Sequence, residues 1–412
     1  MNSDLQNGAL AGAVAACDAI GAAMLTRLTS RLGEDSGASG NVLACPVGLA
    51  LALATLRAGA ADNGTGIDAM LGVDTDAKTR DRVWSAVQRS LQRFDVADTQ
   101  QLQDFNPEAI PDPPLLHIAN NILAIGQTQP TQDYLGNAKR WYGAEVNRAE
   151  RPKAKAALDA WANLHTGGLI KESAINVTPL TRLVVQNALL FAARWAKHFN
   201  AAATAERQPF TRADGSTSRA DLMSRTGRLT FVTGPDWRAL RLRYVDGAGD
   251  SGSAGGSAAG SETLAMDVIL PRKVSSPIDL PPTTWGEATR RLTAAQTAGT
   301  TTNVHLRLPR LNLSSKPTDL TGVVKSLGVR LGFQDHIAPD LLVGQIVQQV
   351  KLVVAEAGTV AAALTEIKIR TGAPPRPEEP IDFTVDHPYV LRIVDLTSGI
   401  ALIEAAVLDP AA

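Results

Sequence analysis

The sequence predicts an α+β fold. Helical patterning fills the early part of the chain, two-residue alternation fills the late part, and a long apolar run from Leu183 to Phe191 reads as a buried strand between them. The 412 residues are 44% hydrophobic and 20% charged, which is globular composition with ample core material. Only 4% are aromatic, so the core must be packed mainly with Leu, Val, Ile and Ala. A net charge of -1 provides no global field to favour nucleic acid or a membrane surface. Cys17 and Cys45 do not make a disulfide framework and read as small buried residues.

The elements follow in order. Residues 4 to 33 read as a helix whose Ala-rich stretch Leu10 to Leu25 carries Asp18, a buried amphipathic segment rather than a membrane span. After a Gly/Ser turn at Ser36 to Gly40, Asn41 starts a short strand that becomes an apolar helix at Pro46 and stops at Gly59. Gly64 to Phe94 has helical period with a charged face. His117 to Ile125 is a strand, Tyr134 to Tyr142 a helix, and Ala154 to Leu164 a helix stopped by Gly167 and Gly168. Leu240 to Val245 and Leu264 to Leu270 are strands flanking residues 246–261, a flexible Gly/Ser-rich hairpin insertion. Val304 to Leu313 alternates as one strand, Leu341 to Val354 leads into the next segment, and Tyr389 to Leu408 forms two strands joined at Thr397 to Gly399.

Gly358 to Thr371 is the most informative stretch. Every second residue, Thr359, Ala361, Ala363, Thr365, Ile367 and Ile369, is small or apolar, while Glu366, Lys368 and Arg370 fall in the interleaved row. That is the period of a strand with one buried face. Yet the stretch opens on Gly358 and runs into Pro374, Pro375, Pro377 and Pro380, the composition of an exposed loop. Strand patterning in a loop context describes a loop able to become a strand.

Several blocks, in order, resemble the serpin family. They are Asn41 to Pro46 with Leu49, Ala52, Leu53, Gly59 and Ala60; Ile118 to Asn120 with Tyr142 to Glu145; Trp161 with Thr166, Gly168 and Ile170; and Thr181 to Ala188 through Trp195 and Phe199. Leu308 to Arg310 with Asp319, Leu320, Leu327 and Gly328 follow, then Glu356 to Ala363 and Asp386 to Tyr389. The fit runs from about residue 5 to Pro410. The resemblance implies a single domain over residues 1–412, with three β-sheets, about nine helices and an exposed reactive-centre loop at 358–380. It also implies a protein that is not an enzyme but a suicide substrate, chiefly of serine proteases: the loop is cleaved, the protease is trapped as an acyl-enzyme, and the loop inserts into the main sheet.

On this reading the hinge and insertion residues are Glu356, Gly358, Thr359, Ala361, Ala363, Thr365, Ile367 and Ile369, and the sheet opening is marked by Arg310, Trp195 and Asn187. An ion pair between Glu356 and Arg310 is expected to hold that opening. Counting into the loop places the reactive bond at Gly372–Ala373, suited to an elastase- or subtilisin-like protease, with Arg370–Thr371 as the trypsin-like alternative. Cys45, Gly48 and Gln348 depart from the family's usual residues under the sheet, so a different hydrogen-bond set is expected there.

The sequence also carries features of other classes. Gly249 to Gly252 matches a fragment of a serine-protease motif, but in a low-complexity loop that would not orient the Ser. The six histidines are scattered in sequence, and no Cys/His spacing suggests a metal or cofactor. Arg80, Arg82, Arg89 and Arg93 raise polyanion binding, but the neighbouring Asp74, Asp76 and Asp81 favour a solvated helix face. A non-inhibitory serpin, acting as a carrier or chaperone, is the main alternative. A monomer is expected, with a target protease as partner and no nucleic acid or membrane. No secretory signal is evident, which leaves a cytoplasmic or a non-classically exported protein.

Overall fold

The computed structural model describes residues 3–34, 40–61, 64–73, 76–96, 98–106, 110–111, 114–245, 263–315, 318–343, 345–359 and 379–412. Among them are nine α-helices and three sheets of nine, six and two strands. The nine-stranded sheet runs Val42–Ala44, Ala401–Val407, Tyr389–Asp395, Leu264–Pro271, Trp237–Arg243, Thr217–Thr233, Thr302–Pro309, Ile381–Thr384, with Ala205–Thr211 paired to Thr217–Thr233. The six-stranded sheet runs Leu311–Ser314, Lys351–Val354, Gly358–Thr359, Leu183–Arg194, Leu115–Ile125, Glu145–Ala149. Trp237–Arg243 and Leu264–Pro271 pair antiparallel. Their connecting insertion, 246–261, lies outside the described residues.

Local chemistry explains the helices that pack on these sheets. Ser3–Glu34 buries Ala13, Cys17, Ile20, Met24 and Leu25 completely. Pro46 opens Pro46–Leu56 in the first turn, where its missing N–H costs nothing. Arg151–His165 stops where Gly167 and Gly168 take φ of 57° and 77°, a left-handed exit only glycine makes freely.

The structure corrects three readings. Val304 to Leu313 is not one strand: Thr302–Pro309 belongs to the nine-stranded sheet and Leu311–Ser314 to the six-stranded one. The break falls at Arg310, whose amide makes the last bond to Thr217–Thr233, to Asp221 O at 2.9 Å, before Leu311 pairs with Val354 in the other sheet. Gly64 to Phe94 divides into Ile67–Met70 and Ala77–Leu91, because Gly72 turns at φ 69° and Asp76 caps a fresh helix through Thr79 N at 3.0 Å. The arginines there are not a uniformly solvated face either. Arg80 is fully buried, bonding Asp68 at 2.9 Å and Asp81 at 3.1 Å, and Arg93 pairs with Asp395.

Two more buried arginines set the core of the nine-stranded sheet. Arg241 meets Asp267 through two bonds of 2.6 and 2.9 Å. Arg392 bonds Glu404 at 2.9 Å, Thr289 Oγ1 at 2.9 Å, and Asp18 on the first helix. Gly21 must be glycine here, since a Cβ would lie 2.3 Å from a Glu404 oxygen. Removing one member of a buried pair strands the other charge. Asp267→Ala, which takes the carboxylate from buried Arg241, is therefore expected to cost about 3–5 kcal/mol, read as a lowered urea midpoint.

Candidate functional site

The site begins with a tight hairpin. Lys351–Val354 ends, Glu356 and Ala357 turn the chain, and Gly358–Thr359 starts back antiparallel to it. Ala355 and Gly358 exchange both backbone bonds across the turn, at 2.9 and 3.2 Å. The turn's two carbonyls are taken by the strand opposite and its extension: Trp195 N bonds Ala357 O, and Phe199 N bonds Glu356 O, each at 3.0 Å. Gly358 then pairs with Arg194 and Thr359 with Ala193. Gly358 is required by close approach, not by a left-handed backbone: a Cβ would sit 2.3 Å from Ala193 O.

Side chains fix the same turn. Arg310 Nε bonds Glu356 Oε1 at 2.7 Å, and its Nη2 reaches the same oxygen. Thr204 Oγ1 donates to that oxygen at 2.6 Å. Burial acts to raise the Glu356 carboxyl, but the bonds from Arg310 and Thr204 outweigh it and hold it below the usual range. Trp195 Nε1 donates to Ala355 O at 2.9 Å, and its ring stacks on Tyr244 at 4.6 Å. Tyr244 OH and Thr359 Oγ1 share a bond of 2.7 Å, with Thr359 only 2% exposed. Burial pushes the Tyr244 phenol well up, so it stays a neutral donor.

Leu183–Arg194 pairs with Leu115–Ile125 along one edge. On its other edge, among the described residues, only Arg194 and Ala193 find strand partners. A cavity of about 440 Å³ follows that edge, walled by Leu183 to Phe191 on one side and Val343 to Lys351 on the other, with Gly48, Leu49 and Leu53 as floor and Trp161, Ala162 and Thr166 as roof. An engineered core void holds about 150 Å³, so this is a gap between strands rather than a packing defect.

The residues around this gap that depart from the family pattern come together. Gln348 bonds both backbone groups of Cys45, accepting from N at 2.8 Å and donating to O at 3.0 Å. A Cβ on Gly48 would meet Asn187 Oδ1 at 2.7 Å and Cys45 Sγ at 2.8 Å. Asn187 itself donates to Asn120 Oδ1 at 3.0 Å. Burial raises the Cys45 thiol to about 12, which leaves it inert.

Of the expected site residues, Glu356, Gly358, Thr359, Arg310 and Trp195 thus meet at one end of the gap, and Asn187 lies along it. Ala361, Ala363, Thr365, Ile367, Ile369, Arg370, Thr371, Gly372 and Ala373 lie outside the described residues, as does the Gly249 to Gly252 fragment. Sequence reasoning missed Tyr244, Thr204 and Phe199 as parts of the clamp. It also took the histidines as scattered, whereas His117 and His165 are in contact.

A hairpin that starts a strand beside a sheet edge with few partners among the described residues defines an α+β protein with a short strand seated in its six-stranded sheet. The comparisons agree with that class. A family model described as Serpin (serine protease inhibitor) matches residues 22–410, and the chain belongs to the serpin family. A putative serpin-Z8 of Oryza sativa subsp. japonica is 28% identical over 94% of this chain and 94% of its own. Plasminogen activator inhibitor 1 of Neovison vison is 25% identical over 83% of this chain and 84% of its own. The structure of human thyroxine-binding globulin with its hormone superposes with a TM-score of 0.74, over 96% of this chain and 98% of that one, at 19% identity, a likeness of fold alone.

The depressed Glu356 value sets a pH dependence. A carboxyl lowered by folding stabilises fully above its unfolded value of about 4.3 and loses that contribution as pH falls through the lower folded value. Glu356→Gln is expected to cost about 1–2 kcal/mol at neutral pH, the low end for a charged bond because Arg310 is 41% exposed. Amide exchange at Trp195 and Phe199 checks it: wild type and variant should differ at neutral pH and converge in acid.

Proposed function

We propose that this serpin inhibits proteases as a suicide substrate. The observation that carries the reading is the hairpin at Glu356–Ala357, which starts Gly358–Thr359 as a strand at the head of the open gap. Continuing that strand would place Ala361, Ala363, Thr365, Ile367 and Ile369 on the face that Thr359 already buries, since alternate residues share a face. The small members fit without overpacking. Each isoleucine would gain about 1.5–3 kcal/mol if fully buried, and each new ladder bond about 0.5–1.5 kcal/mol. A sum of that kind drives an effectively irreversible change.

The chemistry is an interrupted proteolysis. The target's nucleophile adds to the carbonyl at the reactive bond, the amine of the following residue leaves with the proton, and an ester joins protease to loop. Insertion of the freed loop then draws the ester away before water completes the cycle. The reactive bond is placed at Gly372–Ala373, with Arg370–Thr371 as the trypsin-directed alternative. A serine protease is the target that fits either bond, and the inhibitor acts as a monomer. The likeness to an inhibitor named for plasminogen activators supports this reading.

Incubation with trypsin, elastase and subtilisin separately, followed by a denaturing gel, tests it. A band at the summed mass that survives boiling in SDS is expected with at least one of them, and mass spectrometry of the released peptide identifies the bond. Cleaved chain alone with every protease would favour a non-inhibitory carrier. Thr359→Arg puts an unpaired charge on the buried face. Its complex band is expected to fall about tenfold or more, replaced by cleaved chain.

A further inference from the structure

Two carboxylates and two imidazoles meet under the last turn of Arg151–His165. Asp95 follows the short helix Gln92–Phe94, His117 lies on Leu115–Ile125, Glu145 opens Glu145–Ala149, and His165 ends the long helix. They form one line. Asp95 Oδ1 is 2.6 Å from His117 Nδ1, His117 Nε2 is 2.9 Å from His165 Nδ1, and His165 Nε2 is 3.2 Å from Glu145 Oε1. The two histidine side chains are only 8% and 3% exposed.

Proton counting decides what this line is. A carboxylate only accepts, so His117 Nδ1 and His165 Nε2 must each carry a hydrogen. The two remaining nitrogens face each other at bonding distance, which requires a single hydrogen between them. Three hydrogens on the two rings means one imidazole and one imidazolium. With one fewer, two lone pairs confront each other; with one more, two N–H groups do. We propose that this shared proton is a latch that ties Arg151–His165 to the six-stranded sheet, and that either losing it or adding another releases the end of the helix.

The surroundings suit one positive charge. Carboxylates flank the pair at both ends, and the Trp161 ring lies 4.5 Å from that of His165, within range of a cation–π attraction. Glu145 also accepts from Trp161 Nε1 at 3.1 Å, and the bond from His165 holds its carboxyl below the usual range. Among the described residues, Arg93 on Gln92–Phe94 is held by Asp395, and Arg148 lies three residues along Glu145–Ala149 from Glu145. Gln100–Gln103 has no titratable residue, and the charged residue of Leu183–Arg194 is Arg194, beside Gly358. Asp159, a turn and a half earlier on the helix, is occupied by Lys155 and by Ser173 N.

The latch has a consequence for the gap. Trp161, Ala162 and Thr166 roof the cavity that Leu183 to Phe191 walls, so a strand entering it passes beneath this end of the helix. Releasing the helix end at high or low pH opens that route. The inference does not depend on any protease being inhibited.

Nitrogen-resolved NMR of the histidines in the wild-type chain tests the proton count. At neutral pH the pair should hold three ring hydrogens over a plateau, with changes on both sides of it. Two neutral rings at neutral pH would overturn the proposal. Hydrogen exchange then tests the latch. Protection of residues 160–165 should fall about tenfold outside the plateau in wild type, and His165→Gln should lose this dependence at similar mid-range protection. A variant that lowers protection equally at all pH values, keeping the wild-type profile, would show a merely structural histidine and overturn the latch. If the variant fails to fold, the wild-type proton count and exchange profile still decide.

Discussion

A strand edge that finds only two strand partners among the described residues is the constraint on which the rest of this structure depends. The backbone of Leu183–Arg194 is paired along Leu115–Ile125, while its other edge meets Gly358 and Thr359 at one end and a cavity beyond. Unpaired backbone groups on such an edge are a template for whatever extended chain reaches them first. The turn at Glu356–Ala357 sits at the end of that edge, where Gly358 and Thr359 pair with Arg194 and Ala193.

Polar bonds, more than apolar packing, hold the margins of the gap. At one end, the Trp195 and Phe199 amides and the Arg310 guanidinium grip one turn from different elements. Arg310 can do so because it stands where the chain leaves the nine-stranded sheet for the six-stranded one, so the clamp joins both sheets. Farther down, the Gln348 amide completes the backbone bonding of Cys45, a role a strand partner would otherwise play. Over the roof, Gln186 reaches the helix at Leu158 O and Ser173 Oγ, and Asn121 in turn bonds Gln186. Such bonds are individually modest and can be exchanged for others.

Long elements with one clear period were legible in the sequence: the first helix, Leu115–Ile125, the final two strands and the hairpin flanks all appear where alternation or helical spacing placed them. Thr217–Thr233 was not legible. Its 17 residues pair with Ala205–Thr211 and Thr302–Pro309 early and with Trp237–Arg243 late, so its buried face changes along its length and no single alternation survives. Thr302–Pro309 and Leu311–Ser314 were fused in the reading because alternation continues across Arg310 while the sheet changes. His117 and His165 carried one faint signal, a polar residue within an otherwise apolar strand and another at a buried helix end. Being 48 apart in sequence, they gave no spacing to read.

The sequence by itself determined the family, the α+β class and the small alternating row that begins at Thr359, because these are properties of residue order and period. Tertiary structure alone decided what touches what across long separations. It made Gly358 obligatory by placing Ala193 O against it, put Tyr244 on Thr359, and buried Arg80 and Arg392 with carboxylates from other elements. Periodicity reports which face of a segment is buried. It carries no information on the partner, because hydrogen-bond and charge complementarity is satisfied only once distant segments are brought within about 3 Å.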